Sequence, residues 1–372
     1  MMATGAMNRP FLFLCGRAWT PKSFSIAIVI ITVIVNEYLI YIIQSQRWPN
    51  IPVTDRDPDN VQVLLLVSDP QLQGYKDEPG FPFGAITRWD SDRFLSQTFW
   101  LAMSHTKPDA VIYLGDLMDE GSKASKEDYK YCYYRFHQIF ALAQKLKNIY
   151  IPGDNDVGGE GRDFRTEEKV KRFELHFEEL KGVSNHKFID YVKLDIRTQA
   201  LIYAEKRELA QHLHPRIMSP IRIVLNHETV LPQFQIKESI YTILNLLGPQ
   251  LIFSGHWHKS MVFPCADCMR DDSTSWSLQR RFLPNGFIME NITQSKEFIM
   301  EVMVPTCSYR MGEPEMGYGV AVIQKNGLFH YGVLWSPSRY KVLYSYCLIG
   351  VSLVLFNLTV WMKVKRYGSQ KR

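Results

Sequence analysis

Five times along this chain a short run rich in Val, Ile and Leu stops abruptly in a polar cluster: VQVLLLVSD, DAVIYLGD, NIYIPGD, IRIVLNHE and QLIFSGHWH. A strand with one face in water alternates apolar and polar residues, so unbroken apolar runs of this length predict strands covered on both faces. The segments between them carry helical periodicity, at Asp90 to His105, Glu127 to Lys147, Thr166 to Leu180 and Gln235 to Leu247. Strand and helix in alternation predict an α/β layered domain. Three later runs, EFIMEVMVP, YGVAVIQ and GLFHYGVLW, follow with no helix between them, which predicts that part of the sheet is antiparallel.

Open α/β sheets place their ligands beyond the carboxyl ends of the strands. At those ends stand Asp69 and Gln71, Asp116 and Asp119, Asp154 to Asp156, His227 and Glu228, and His256 and His258. Each has a local reading of its own. Asp69 suits a turn, Asn226 with Glu228 suits a helix start, and strand alternation would put His256 and His258 on one side with Trp257 turned away. Their shared position favours a common site. Carboxylates and imidazoles from separate loops suit divalent first-row metals. A pair of such ions clamps a phosphoryl group and activates a water, so the expected chemistry is phosphoester hydrolysis.

The five clusters, read in order, resemble the motifs of the calcineurin-like metallophosphoesterase superfamily: DxH, GDxxD, GNH[D/E], a lone His and GHxH. The resemblance runs from about Val61 to His258. It implies a two-sheet α/β sandwich flanked by helices and a di-metal centre, Mn first, with Zn or Fe as alternatives. Carried over, Asp69 and His258 would bind one ion, Asp116 would bridge, and His227 and His256 would bind the other with Asp154. Asp119 would support the ligands from behind or start a helix, and Asp156 would be a further supporting carboxylate. The chain departs from the pattern at three places. Asp154 replaces an Asn, which a hard cation tolerates. Gln71 replaces a His, so ligation falls to its carbonyl. Asn155 takes the place of the proton-donating His at the catalytic position; its amide can donate a hydrogen bond but cannot deliver a proton.

Two stretches depart from soluble composition. Phe24 to Ile43 is interrupted only by Asn36 and Glu37, and Val342 to Met362 carries no charge; both are long enough to span a bilayer. Lys and Arg outside them predict both tails in the cytosol and the intervening chain in a lumen or outside the cell. The expected organisation is a cytosolic tail over 1–23, a membrane helix over 24–43, a luminal domain over 61–335, a second membrane helix over 342–362 and a tail over 363–372. A luminal Asn291 in NIT is a glycosylation acceptor. Among Cys132, Cys265, Cys268 and Cys307, an oxidising lumen permits a Cys265–Cys268 bridge or a longer link to Cys307, with a CxxC zinc half-site as the alternative. The net charge of +5 comes without a long basic block, which disfavours nucleic acid as a partner.

Two membrane helices around such a domain further resemble the GPI-anchor remodelling branch of the superfamily, as does VPTCSYRMGEPEMGYG after the motif residues. That resemblance implies a phosphodiesterase of the endoplasmic reticulum, its exit sites or the Golgi, removing ethanolamine-phosphate from the mannose core of GPI anchors. GPI lipid or GPI-anchored proteins would be its partners. The alternatives are a catalytically weak factor that binds metal and recognises GPI-anchored cargo, or a phosphoesterase with a different substrate.

Overall fold

The structure, a computed structural model, describes residues 20–53, 57–196, 208, 211–232, 237–266, 268, 279–282, 286–293 and 297–370. The chain divides into two compact units, one from 1–40 with 340–372, the other from 41–339.

The larger unit is built on two mixed sheets. In the first, β1 (Val61–Val67), β2 (Ala110–Leu114) and β3 (Lys147–Ile151) run parallel, while β12 (Gly317–Gln324) pairs antiparallel with β1 and leads to β13 (Leu328–Trp335) and β10 (Phe287–Asn291). The second sheet has a parallel centre of β5 (Ile189–Lys193), β6 (Ile221–Leu225), β7 (Leu251–Ser254) and β11 (Ile299–Met303). Its edges, β4 (Gly182–His186) on one side and β8 (Met261–Cys265) with β9 (Arg281–Phe282) on the other, are antiparallel. The three late runs thus split between the sheets, with β11 joining the second and β12 and β13 the first.

Both faces of the first strand are covered, which is why its sequence does not alternate. Leu64 and Leu66 enter a core shared with Ile112, Leu114, Ile223, Phe253 and Val302, drawn from both sheets. Leu65 and Val67 turn the other way, against Leu95 and Phe99 of the helix Phe83–Thr106 and Phe136 of the helix Lys126–Ile139. Behind the second sheet, Val224, Ile252 and Ile299 meet Leu244 and Leu247 of the helix Lys237–Leu247. Full burial of each such side chain contributes about 1.5–3 kcal/mol.

Two helices end earlier than their periodicity predicts. The segment expected to run to Lys147 stops at Ile139 because Phe140 leaves helical geometry (ψ 26°) and packs edge-on against Phe99 and Tyr113, 4.8 and 5.4 Å away. The segment from Thr166 stops at His176, where Phe177 stacks on Phe173 at 4.9 Å. Cys265 and Cys268 form a disulfide, so their sulfurs are not free for zinc, and Cys132 and Cys307 are buried thiols.

Two helices are long and apolar enough to cross a membrane, Pro21–Ser45 with 25 residues and Arg339–Arg366 with 28. Within the smaller unit, the polar residues that interrupt their apolar surfaces find partners on each other: Asn36 donates to Ser345 (2.6 Å), Tyr346 to Glu37 (2.6 Å) and Asn357 to Ser25 (3.0 Å). Asn36 and Glu37 lie in a wider, π-type turn, Val35–Leu39. Within the larger unit, Tyr41 packs on Phe94 at 6.2 Å, and Arg339 forms a buried ion pair with Asp90 through its Nη2 and, at 3.0 Å, its Nε. Burial opposes charge on Asp90, but Arg339 outweighs it and holds the carboxyl below its ordinary range.

Candidate metal centre

The loops that follow β1, β2, β3, β6 and β7 meet at one point. Seven non-glycine residues have positive φ among the described residues, and five of them are Asp69, Gln71, Asp116, His256 and His258. Left-handed backbone is unfavourable for such residues by roughly 1–2 kcal/mol each, so the fold concentrates here a strain that the other described non-glycine residues show only at Lys107 and Lys187. The strain answers a geometric need. β7 ends at Ser254, and strand alternation does not aim the two histidines; the left-handed turns at His256 and His258 do so, with Trp257 61% exposed between them.

Glycine makes the close approach possible. A Cβ on Gly153 would lie 2.0 Å from Asp116 Oδ1 and 2.3 Å from the Asp116 backbone nitrogen, and one on Gly255 would lie 2.2 Å from Ser68 Oγ and 2.8 Å from Asp69 Oδ2. The glycine preceding Asp154 and the one preceding His256 are therefore required by the neighbouring loop rather than by their own.

Two groups of donors result: Asp154, His227 and His256, and Asp69, Asp116 and His258, the ligand atoms of each lying within 4.8 Å of one another. Asp154 Oδ1 stands 3.2 Å from both His227 Nε2 and His256 Nδ1. Asp69 Oδ1 stands 3.5 Å from His258 Nε2 and 4.0 Å from His227 Nε2, and Asp116 Oδ1 stands 3.5 Å from His227 Nε2. His227 Nδ1 faces the Leu114 carbonyl at 2.7 Å, so it carries the proton and leaves Nε2 as a lone pair aimed into the site.

That lone pair tests whether metal fits. Asp69 Oδ1, Asp154 Oδ1 and His227 Nε2 are buried and have no hydrogen-bond partner. Electron pairs turned toward each other without a proton between them call for a cation. Proton affinities point the same way. Burial opposes protonation of His227, yet Asp116, Asp154 and Asp69 outweigh it and raise the imidazole well above its usual range. Burial also opposes charge on Asp154, and His227 and His256 outweigh it and hold the carboxyl far below normal. A site that acidic draws positive charge, and a mixed oxygen and nitrogen donor set suits divalent metals.

The remaining residues are placed as follows. Gln71 turns its amide nitrogen, not its carbonyl, toward Asp116 Oδ2 (3.0 Å) and His258 Nε2 (3.4 Å), because a carboxylate is the strongest acceptor within its reach. Asn155 donates to the same Asp116 from its backbone nitrogen and its Nδ2, both at 3.0 Å. Asp156 accepts from the backbone nitrogens of Leu117, Met118 and Gly153 at 3.1, 3.0 and 2.8 Å, which ties two of the loops together. Burial, and then Asp116, push its carboxyl up to about 7. Asp119 sits in a turn, well before the helix at Lys126, and burial with Glu120 and Glu78 raises it to about 6. Asn291 is exposed at the end of β10 and accepts from Thr293.

Four contributors were not among the candidate site residues. Glu160 lies near Asp154, whose carboxylate raises the Glu160 carboxyl. Ser68 donates to Asp69 Oδ2. Thr306 donates to the Asp69 carbonyl at 2.8 Å, and the next residue, Cys307, donates from its nitrogen to the Ser68 carbonyl at 3.0 Å. Only the fold brings residues 306 and 307 beside residues 68 and 69.

Comparison with known proteins agrees with this geometry. The family model of the calcineurin-like phosphoesterases matches residues 63–260. The Metallophosphoesterase 1 homolog of Caenorhabditis elegans is 26% identical over 268 residues, covering 63% of this chain and 70% of that protein. Metallophosphoesterase 1 of Rattus norvegicus is 24% identical over 337 residues, covering 75% and 82%. A dimetal phosphatase structure from Danio rerio superposes with a TM-score of 0.41 at 10% identity over 74% of this chain and 99% of that one. With more than half of its residues inside the family match and the donor groups assembled at its strand ends, this chain belongs to the calcineurin-like phosphoesterase family.

Proposed function

We propose that the protein is a membrane-anchored, metal-dependent phosphodiesterase that removes ethanolamine-phosphate from the mannose core of GPI anchors and so assists their carriers from the endoplasmic reticulum to the Golgi. The observation that carries the phosphoesterase part is the pair of facing donor groups with unpartnered buried atoms. Support for the membrane and substrate parts comes from the two apolar helices and the relatives named Metallophosphoesterase 1. Both helices would span the bilayer, with residues 61–335 in the lumen and a glycan on Asn291.

Asp154, His227 and His256 would hold one divalent ion, Asp69 and His258 the other, with Asp116 shared and Mn the leading candidate. When bound, such ions neutralise phosphoryl charge and supply a nucleophilic water at neutral pH. The chain's own residues prepare that chemistry. Leu114 fixes the His227 tautomer, Asp156 holds two ligand loops in register, and Gln71 and Asn155 hold Asp116 in place.

A second reading, a catalytically weak protein that recognises GPI-anchored cargo, is favoured by the Asn155 amide, which is committed to Asp116 and has no proton to deliver. A general acid contributes roughly 10²–10⁴-fold, so its loss would be felt. The two readings separate in one experiment. Purified full-length protein with added Mn should release ethanolamine-phosphate from a GPI intermediate, and Asp116→Ala should abolish the release. No release by the parent under conditions that activate a related enzyme, with release appearing in Asn155→His, would instead support the recognition reading.

A further inference from the structure

The helix Phe83–Thr106 buries Gly84, Asp90, Ser91, Phe94 and Leu95 against the domain. Its first two turns leave large apolar side chains in the open: Phe83 is 69% exposed, Ile86 55% and Trp89 63%, and Phe81 just before the helix is 92% exposed. At three-residue spacing Phe83, Ile86 and Trp89 form one stripe on the helix surface. Four neighbouring exposed apolar residues mark an interaction surface, not the scattered single exposures of an ordinary surface.

The same helix tells what covers them. Its residue 90 holds Arg339, where the second apolar helix begins, and its residue 94 holds Tyr41, within three residues of the end of the first apolar run at Ile43. Trp89 adjoins Asp90, and Phe83 lies roughly 10 Å from it along the axis at 1.5 Å per residue. The Trp89 end of the stripe thus sits within two helical turns of both points where the chain would enter a bilayer. Its composition fits the headgroup boundary: apolar Phe81, Phe83 and Ile86 beside Trp89, whose indole N–H gives the ring a polar edge, and the Arg93 guanidinium 5.3 Å from the Trp89 ring centroid.

We propose that Phe81, Phe83, Ile86 and Trp89 form a membrane-docking surface that lies in the headgroup layer of the bilayer, fixing the larger unit against the membrane so that its metal centre works at a set height. The proposal rests on the membrane reading of the two apolar helices but not on the identity of the substrate. Interfacial segments of this kind bury their apolar face about 5–10 Å into the headgroup boundary.

The test uses the full chain in phosphatidylcholine nanodiscs, with and without brominated acyl chains that quench nearby tryptophans. The quenched fraction of the parent's fluorescence should exceed that of Trp89→Phe, the difference being the Trp89 contribution. Equal quenching in the two proteins overturns the proposal. A parallel alkaline extraction of membranes distinguishes the two levels: protein retained in the pellet with Trp89 unquenched refutes docking alone, while protein released into solution refutes the membrane reading and docking with it. A second variant, Phe81→Ser with Phe83→Ser, should reduce Trp89 quenching while its melting temperature stays near the parent's. Unchanged quenching in that variant also counts against the proposal.

Discussion

Replacing Gly153 by alanine isolates the packing that brings the ligand loops together. The glycine's own backbone is ordinary (φ −101°, ψ −176°), an extended conformation open to alanine, so the substitution introduces a collision and no torsional strain. The new methyl would lie 2.0 Å from Asp116 Oδ1, 2.3 Å from the Asp116 backbone nitrogen and 2.7 Å from its Cγ. Contact distance for such atoms is about 3.5 Å, so the two loops must separate by roughly 1 Å or more. Rotating the Asp116 side chain relieves only part of this, because the backbone nitrogen cannot swing away. Overpacking of this kind costs about 1–3 kcal/mol. At roughly 2–4 °C per kcal/mol for domains of 150–250 residues, the melting temperature should fall by about 2–12 °C. Moving Asp116 should also lower the number of metal ions retained after dialysis, measured by mass spectrometry of the purified protein. Gly80→Ala is the control: nothing lies within 4 Å of its Cβ, so its effect should stay within about 0.5 kcal/mol. A Gly153→Ala protein that melts with the control and keeps the parent's metal content would refute the close packing of these loops.

Asp156→Asn should lose about 1–3 kcal/mol in urea denaturation, because the three backbone donors are divided between both carboxylate oxygens and an amide turns an NH2 group toward at least one of them. Glu301 is fully buried, accepts from Val230, Leu231 and Ser254, and is pushed up to about 7 by burial against the opposing pull of those hydrogen bonds. The folded state therefore holds its proton longer than the unfolded chain does. Its contribution is fully present below pH 4.5 and is lost as pH rises through 7, a change of roughly 3 kcal/mol. Denaturation at several pH values should show that slope flattened in Glu301→Gln, and an identical slope would count against it. Arg339→Met should cost about 3–5 kcal/mol by stranding the buried Asp90 carboxylate, and adding Asp90→Asn should recover part of the loss; strict additivity would argue against the pair.

The sequence makes the layers and the polar strand ends readable because both follow from local pattern. VQVLLLV is unbroken since Leu64 and Leu65 face different cores, and a run buried on both sides has no reason to alternate. Helix ends were less legible, since Phe140 stops its helix by packing on rings distant in sequence. The site divides in the same way. Its carboxylates and histidines stand out by residue type and position, whereas the left-handed turns at Asp69, Gln71, Asp116, His256 and His258 depend on how five loops meet. The amide orientation of Gln71 depends on which acceptor lies nearest, and the approach of Glu160 to Asp154 on a loop path that no motif encodes.

The family match ends at residue 260, yet the residues that seal the first ligand loop lie beyond it. Thr306 and Cys307 hold the backbone of Asp69 and Ser68, Val304 holds Ser254, and β12 completes the first sheet along the free edge of β1. The motif-bearing segment is thus not a module that can be cut out or transplanted. A gene truncated after His258 would keep every donor residue and lose β12 beside β1, leaving the Asp69 loop without its clasp. In chain growth the centre is completed late, after all its donors have been made, by strands that carry none of them.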